Sequence, residues 1–191
     1  MRHITNFIFE LGQLKRIKHE GWRLVGVQHP ESVAEHSLRA SQIAYILAQL
    51  EKYDHPEEAC AIAVFHDIGE CRIGDLHKVA NRYVSADEER AVAEQLHNLG
   101  SMKADILSLW KQAEEKNSTA GIIAKDADLL EIAFTAKEYM EQGHAAAEDW
   151  IKNVSARLET KSAQELLETM KTMTSTDWWK GLKSFEKNQH S

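Results

Sequence analysis

Proline occurs at only two of the 191 positions, 30 and 56, while apolar residues recur at helical spacing almost everywhere. A chain so free of helix breakers and so regular in that period is constrained towards an all-α fold. Ile4, Phe7, Ile8, Leu11 and Leu14 mark a first helix. Ser32 and Glu35 have capping-box spacing and open a second, running through Ile43, Leu47 and Leu50. Asp54-His55-Pro56 is a start signal for a third, leading into Ala59–Phe65. Further starts are expected at Ser85 with Glu88, at Ser101 and at Ser118. The helix from Ser118 is long and should end near Gly143. Segments 145–158, 162–173 (with Ser162 and Glu165 as a second capping box) and 176–186 complete the expectation. It amounts to a single globular helical domain over 1–191, a bundle of eight or nine helices. No segment alternates long enough to make a convincing strand. The least regular stretches, 18–30 and 71–84, are loops of the kind that often carry function.

Composition excludes several classes. With 43% apolar and 28% charged residues the chain is ordinary globular protein. A length of 191 lets it bury roughly 70% of its unfolded surface without covalent staples. No run of about 18 apolar residues is present, so no membrane partner is expected, and no secretory signal is expected at the N-terminus. The formal net charge of −7 argues against a nucleic-acid partner. Two cysteines, Cys60 and Cys71, cannot build a disulfide framework, which points to a reducing, cytoplasmic location.

The histidines and carboxylates carry the chemistry. His66-Asp67 follows the apolar run Ala61-Ile62-Ala63-Val64-Phe65. An ionisable pair at the end of a buried helix is costly unless something satisfies it, and a bound cation does so. His36 sits in the first turns of the capped second helix. Asp128 sits inside the long helix, beside an apolar stripe. Two imidazoles and two carboxylates form a mixed set suited to Mn²⁺, Fe²⁺, Co²⁺, Ni²⁺ or Zn²⁺.

In that order, H…HD…D on separate helices, the sequence resembles the HD-domain metal-dependent phosphohydrolases. The stretches GWRLVGVQHPESVAEHSLRAS, AVFHDIGECRIGDL and IAKDADLLE resemble its 5′-deoxynucleotidase branch, over about residues 5–140. The resemblance implies an HD-domain fold and one divalent metal ion per chain (Mn, Co, Fe, Ni, Zn or Mg). It implies His36, His66, Asp67 and Asp128 as the ligands. Asp126 is a rival for the last place, but it lies about 200° around the helix from Asp128 at about 100° per residue. The family's K-x-x-D spacing, read from Lys125, falls on Asp128. The resemblance further implies Glu70 and Asp75 as catalytic residues assisting attack by a metal-activated water.

For a nucleotide substrate the candidate binding residues are Trp22, Arg23, Arg39 and Lys78. Trp22 offers an aromatic face. Arg39 lies three residues after His36 and on roughly its face. Lys78 follows the Gly74-Asp75-Leu76 turn. The resembled bacterial enzymes carry Arg immediately before the Trp, whereas this chain has Gly21 there. The expected activity is release of phosphate from (deoxy)nucleoside 5′-monophosphates, by a homodimer. Two alternatives remain: hydrolysis of a nucleoside triphosphate or phosphosugar, and an inert metal-stabilised interaction protein. No Walker loop, GxGxxG or GxSxG motif supports another enzyme class. His77 and His97 lie in neither an HH nor a GYP motif of the kind that builds a second metal site.

Overall fold

Ser32 and Glu35 cap one another as their spacing predicts. The Ser32 hydroxyl accepts from the Glu35 N–H, and Glu35 Oε2 accepts from the Ser32 N–H at 2.6 Å. That cap launches α2 (Val33–Leu50), and Pro56 launches α3 (Pro56–Phe65). The computed structural model describes residues 1–182. Among these, the remaining α-helices are α1 (Arg2–Leu11), α4 (Glu70–Ile73), α5 (Glu88–Gln95), α6 (Met102–Glu115), α7 (Thr119–Glu141), α8 (Glu148–Ser155) and α9 (Lys161–Thr172). An isolated antiparallel bridge between Lys18 and Ser32 is the only β pairing among them.

α7 is the axis of the fold. It packs against α2, α3, α6, α8 and α9. Its inward positions include Ala120, Ala124, Ala127, Ala133 and Ala136, all buried, so neighbouring backbones come close on several sides. Gly121 serves the same end, because a Cβ there would run into the Gln112 carbonyl of α6. Ser118 Oγ caps α7 by accepting from the Gly121 N–H at 2.9 Å. Gly143, at φ +106°, turns the chain away two residues after the helix ends.

Two apolar cores result. The larger fills the space between α2, α3, α7, α8 and α9, and the smaller groups Phe7, Ile68, Val92, Leu96, Leu99 and Trp110. His66-Asp67 lies at their seam: Ala63 belongs to the larger core and Ile68 to the smaller. Burial on both sides therefore fixes the backbone that carries the pair.

Several expected boundaries move. α1 stops at Leu11, and a 3₁₀ turn over Gly12–Lys15 takes its last turn. α5 is capped by Asp87, whose carboxylate accepts from the Arg90 N–H, rather than by Ser85. The expected helix 145–158 divides into a 3₁₀ turn (Ala145–Ala147) and α8. α9 is capped by Thr160, whose hydroxyl accepts from the Ala163 N–H, rather than by Ser162, whose N–H donates to Glu51 Oε1 at 2.8 Å. Of the expected helix 176–186, the chain forms a 3₁₀ turn over Asp177–Trp179, and positions 183–186 lie outside the described residues. Trp178 is exposed there. No helix among the described residues is long and apolar enough to cross a membrane.

Candidate metal centre and active site

Four side chains from three elements meet at the seam. His36 comes from α2, His66 and Asp67 from the turn after α3, and Asp128 from α7. His36 Nε2 lies 3.4 Å from His66 Nε2, 3.2 Å from Asp128 Oδ1 and 3.7 Å from Asp67 Oδ2. His66 Nε2 lies 3.0 Å from Asp67 Oδ2 and 3.7 Å from Asp128 Oδ1. Donors about 2.1 Å from one ion stand about 3.0–3.4 Å apart at octahedral or tetrahedral angles. The observed spacing fits a single ion with little adjustment.

The far side of each ring fixes what the near side offers. His36 Nδ1 donates to Glu131 Oε2 at 2.5 Å, and His66 Nδ1 donates to the Ala63 carbonyl at 2.8 Å. A carboxylate and a carbonyl only accept, so each Nδ1 carries a hydrogen and the two Nε2 atoms face one another, the positions that offer lone pairs once a cation replaces their protons. Metal-ligating imidazoles are oriented by partners of this kind. Without an ion the cluster holds protons instead. Burial works against a charged His36, but Asp128 and Glu131 outweigh it and raise its pKa well above normal. Burial likewise opposes the proton on His66, and Asp67 with Asp128 carries it up to about 10. Burial pushes Asp128 upward, yet Lys125 and the two imidazoles hold it well below the usual carboxylate range. Lys125 Nζ lies 2.8 Å from Asp128 Oδ2, leaving Oδ1 for the cluster.

Glu70 opens α4, one turn beyond His66. Its Oε2 is buried and makes no hydrogen bond. Burial first, then Asp67 and Asp75, pushes its carboxyl up to about 9. Asp75 accepts from the Glu20 N–H at 2.6 Å, which ties the turn after α4 to the 3₁₀ segment Glu20–Val25. Beside it lies a cavity of about 380 Å³, lined by His19, Trp22, Asp75, Lys78 and Trp150 among others. That volume is within the usual range of small-molecule sites, about 300–1,000 Å³.

The other expected residues scatter. Trp22 is 2% exposed and helps to wall the cavity; its Nε1–H donates to Glu31 Oε1 at 3.3 Å, and its ring packs on Tyr139 and Trp150. Lys78 lines the cavity near its exposed rim. Arg23 turns aside to Glu20 and the Gln28 carbonyl. Arg39 faces α7, where its guanidinium engages Glu131, Thr135 and Glu138. It thus braces the carboxylate that holds His36. Asp126 points away from the cluster and accepts from the Glu159 and Thr160 N–H groups and the Thr160 hydroxyl.

Sequence reasoning missed Glu131, which is 0% exposed. The available signal was a second carboxylate three residues after Asp128, on the same helical face. It also missed His19 and Glu88. Glu88 abuts Gly69, and its carboxyl is pushed up to about 7 by burial and by Glu114.

A family model described as HD domain matches residues 11–171, and the chain belongs to that family. Among curated proteins, the 5′-deoxynucleotidase HDDC2 of Danio rerio is 29% identical over 145 residues, covering 74% of this chain and 72% of that protein. Its counterpart from Bos taurus is 30% identical over 142 residues, covering 72% and 68%. Among solved structures, a conserved hypothetical protein from Pyrococcus furiosus superposes with a TM-score of 0.75 at 30% identity, covering 88% of this chain and 99% of that one.

Proposed function

We propose that the chain is a single-domain, metal-dependent phosphomonoesterase that releases phosphate from nucleoside 5′-monophosphates, deoxyribonucleotides foremost. One observation carries the reading: two imidazoles and two carboxylates converge, with His–His and His–Asp distances of 3.0–3.7 Å, and His19, in contact with His36, joins this cluster to a cavity of about 380 Å³. The curated relatives named as 5′-deoxynucleotidases support the substrate class.

His36, His66, Asp67 and Asp128 hold one divalent ion, from Mn, Co, Fe, Ni, Zn or Mg. The ion, when bound, offsets phosphate charge and acidifies a water. Glu131 and the Ala63 carbonyl keep both rings in the tautomer that offers Nε2. Glu70 Oε2, buried beside the cluster, is the group placed to hold or pass a proton during water attack and departure of the 5′-oxygen. Asp75, anchored by the Glu20 N–H, reaches the cavity wall and orients the reacting groups. Trp22 and Lys78 border the space for the nucleoside. Arg39 is a positioning residue, since its guanidinium is committed to Glu131.

The chain acts without a nucleic-acid or membrane partner, in the cytoplasm, as a homodimer. The net charge of −7 and the free Cys60 and Cys71 support the first statements. The exposed apolar stripe Leu38, Tyr45, Ile46 and Leu50 on α2 supports the last, which sedimentation equilibrium tests.

The test of substrate class is product analysis on a panel of ribo- and deoxynucleoside mono- and triphosphates. Orthophosphate from deoxynucleoside monophosphates is the expected result. Pyrophosphate or triphosphate from triphosphates, with monophosphates untouched, overturns it.

A further inference from the structure

One side chain stands between the donor cluster and the cavity: His19. Its segment is pinned to the residues before α2. The His19 N–H donates to the Glu31 carbonyl, and the Val33 N–H to the Ile17 carbonyl, each at 3.0 Å. This pairing presses the His19 ring against that of His36, with centroids 4.3 Å apart and planes at 47°. A ring nitrogen of His19 lies within 4.8 Å of donor atoms on both His36 and Asp67. Its Nδ1 lies 3.5 Å from Glu31 Oε1, the oxygen that also accepts from Trp22. The same ring lines the cavity with Trp22, Asp75 and Lys78.

A phosphate ester held across the two spaces places its phosphoryl group at this boundary. Of the other cationic side chains nearby, Lys78 lies at the exposed rim of the cavity, and three are spent on carboxylates. Lys125 is on Asp128, Arg39 on Glu131 and Glu138, and Arg23 on Glu20. With Nδ1 turned to Glu31, His19 has Nε2 left for the substrate.

We propose that His19 is a substrate-contacting residue: in the phosphate complex its ring carries both hydrogens, Nδ1–H turned to the Glu31 carboxylate and Nε2–H donating to a non-bridging phosphoryl oxygen. The inference rests on the phosphomonoesterase reading above and names the group that recognises phosphate within it.

The experiment compares wild type, His19→Leu, His19→Gln and Glu31→Gln, all loaded with Co²⁺. Calorimetry gives the dissociation constants of inorganic phosphate and of deoxyadenosine, and the visible Co²⁺ spectrum is recorded without phosphate. A lost hydrogen bond to a charged group predicts about 10–100-fold weaker phosphate binding in His19→Leu. Partial recovery is expected in His19→Gln, with deoxyadenosine affinity moving much less than phosphate affinity and an unaltered Co²⁺ spectrum. Unchanged phosphate affinity overturns the proposal. So does a changed spectrum in the phosphate-free protein, which makes His19 a ligand of the ion instead. If His19→Leu does not fold, His19→Gln and Glu31→Gln carry the comparison. Absence of turnover in the wild type removes the phosphomonoesterase reading, while the phosphate titration still decides the role of His19.

Discussion

Glu131 Oε2 lies 2.5 Å from His36 Nδ1, and Glu131 Oε1 takes the Arg39 guanidinium on its other side. One fully buried carboxylate thus joins an imidazole of the donor cluster to an arginine on the same face of α2, across the helix interface with α7. Burial raises its pKa, but His36 and Arg39 more than offset that and keep it lowered. Glu131→Gln weakens the orienting contact while keeping the shape. Such outer partners are worth about 10–100-fold in metal affinity. Competition with a chromophoric chelator measures it, and an affinity within twofold of wild type contradicts the role.

Asp126 and Asp128, two residues apart on α7, are expected to fail in opposite ways. Asp126→Ala removes the acceptor of the Glu159 and Thr160 N–H groups at the start of α9. The expected cost is about 1–3 kcal/mol of stability, with metal content intact. Asp128→Asn should lose the ion and leave Lys125 without its carboxylate partner. Metal analysis of the two purified variants, with urea melts alongside, separates them; equal metal content in both contradicts the assignment.

The ion-free protein should lose stability as pH rises. His66 binds its proton more tightly when folded, at a pKa of about 10 against 6.5 unfolded. Its contribution is therefore complete below pH 6.5 and declines as pH climbs from there towards 10. The urea midpoint in excess chelator should fall between pH 6.5 and 9. With the ion bound the rings are neutral ligands and this slope should flatten, because metal rather than protons neutralises the cluster. A chelator-treated midpoint that stays level or rises over this range speaks against the proton-holding cluster.

Glu70→Gln should remove proton transfer while preserving packing. General acid or base groups contribute about 10²–10⁴-fold in rate. The fold should not suffer, since the buried carboxyl already resists ionisation at this position. Steady-state orthophosphate release and a thermal melt test both halves. Turnover within tenfold of wild type would exclude Glu70 from the chemistry.

Much of the helical frame was legible because its signals are local. The Ser32–Glu35 cap, Pro56 at a first turn, Ser118 and the Gly143 stop act within a few residues of one another. Where the observed cap is Thr160 and not the expected Ser162, contacts from distant segments are involved: Asp126 accepts from Thr160, and Glu51 takes the Ser162 N–H. The H…HD…D order was readable, since its residue types are costly inside a fold without an ion. The supports were not. Arg39 reads as a phosphate ligand by its spacing from His36, yet its partners sit about ninety to a hundred residues away on α7. His19 reads as an ordinary loop residue until residues 17–19 pair with 31–33 and bring its ring against His36.

The central claim is that the four converging donors make this chain a metal-dependent phosphatase of deoxynucleoside monophosphates. Its most direct test is orthophosphate release from deoxyadenosine 5′-monophosphate by metal-stripped protein, before and after one equivalent of Mn²⁺ or Co²⁺, in wild type and Asp67→Ala. The account predicts no release from stripped protein, recovery at one equivalent per chain, and no recovery in Asp67→Ala. Release that persists after stripping, or that Asp67→Ala retains, would contradict it.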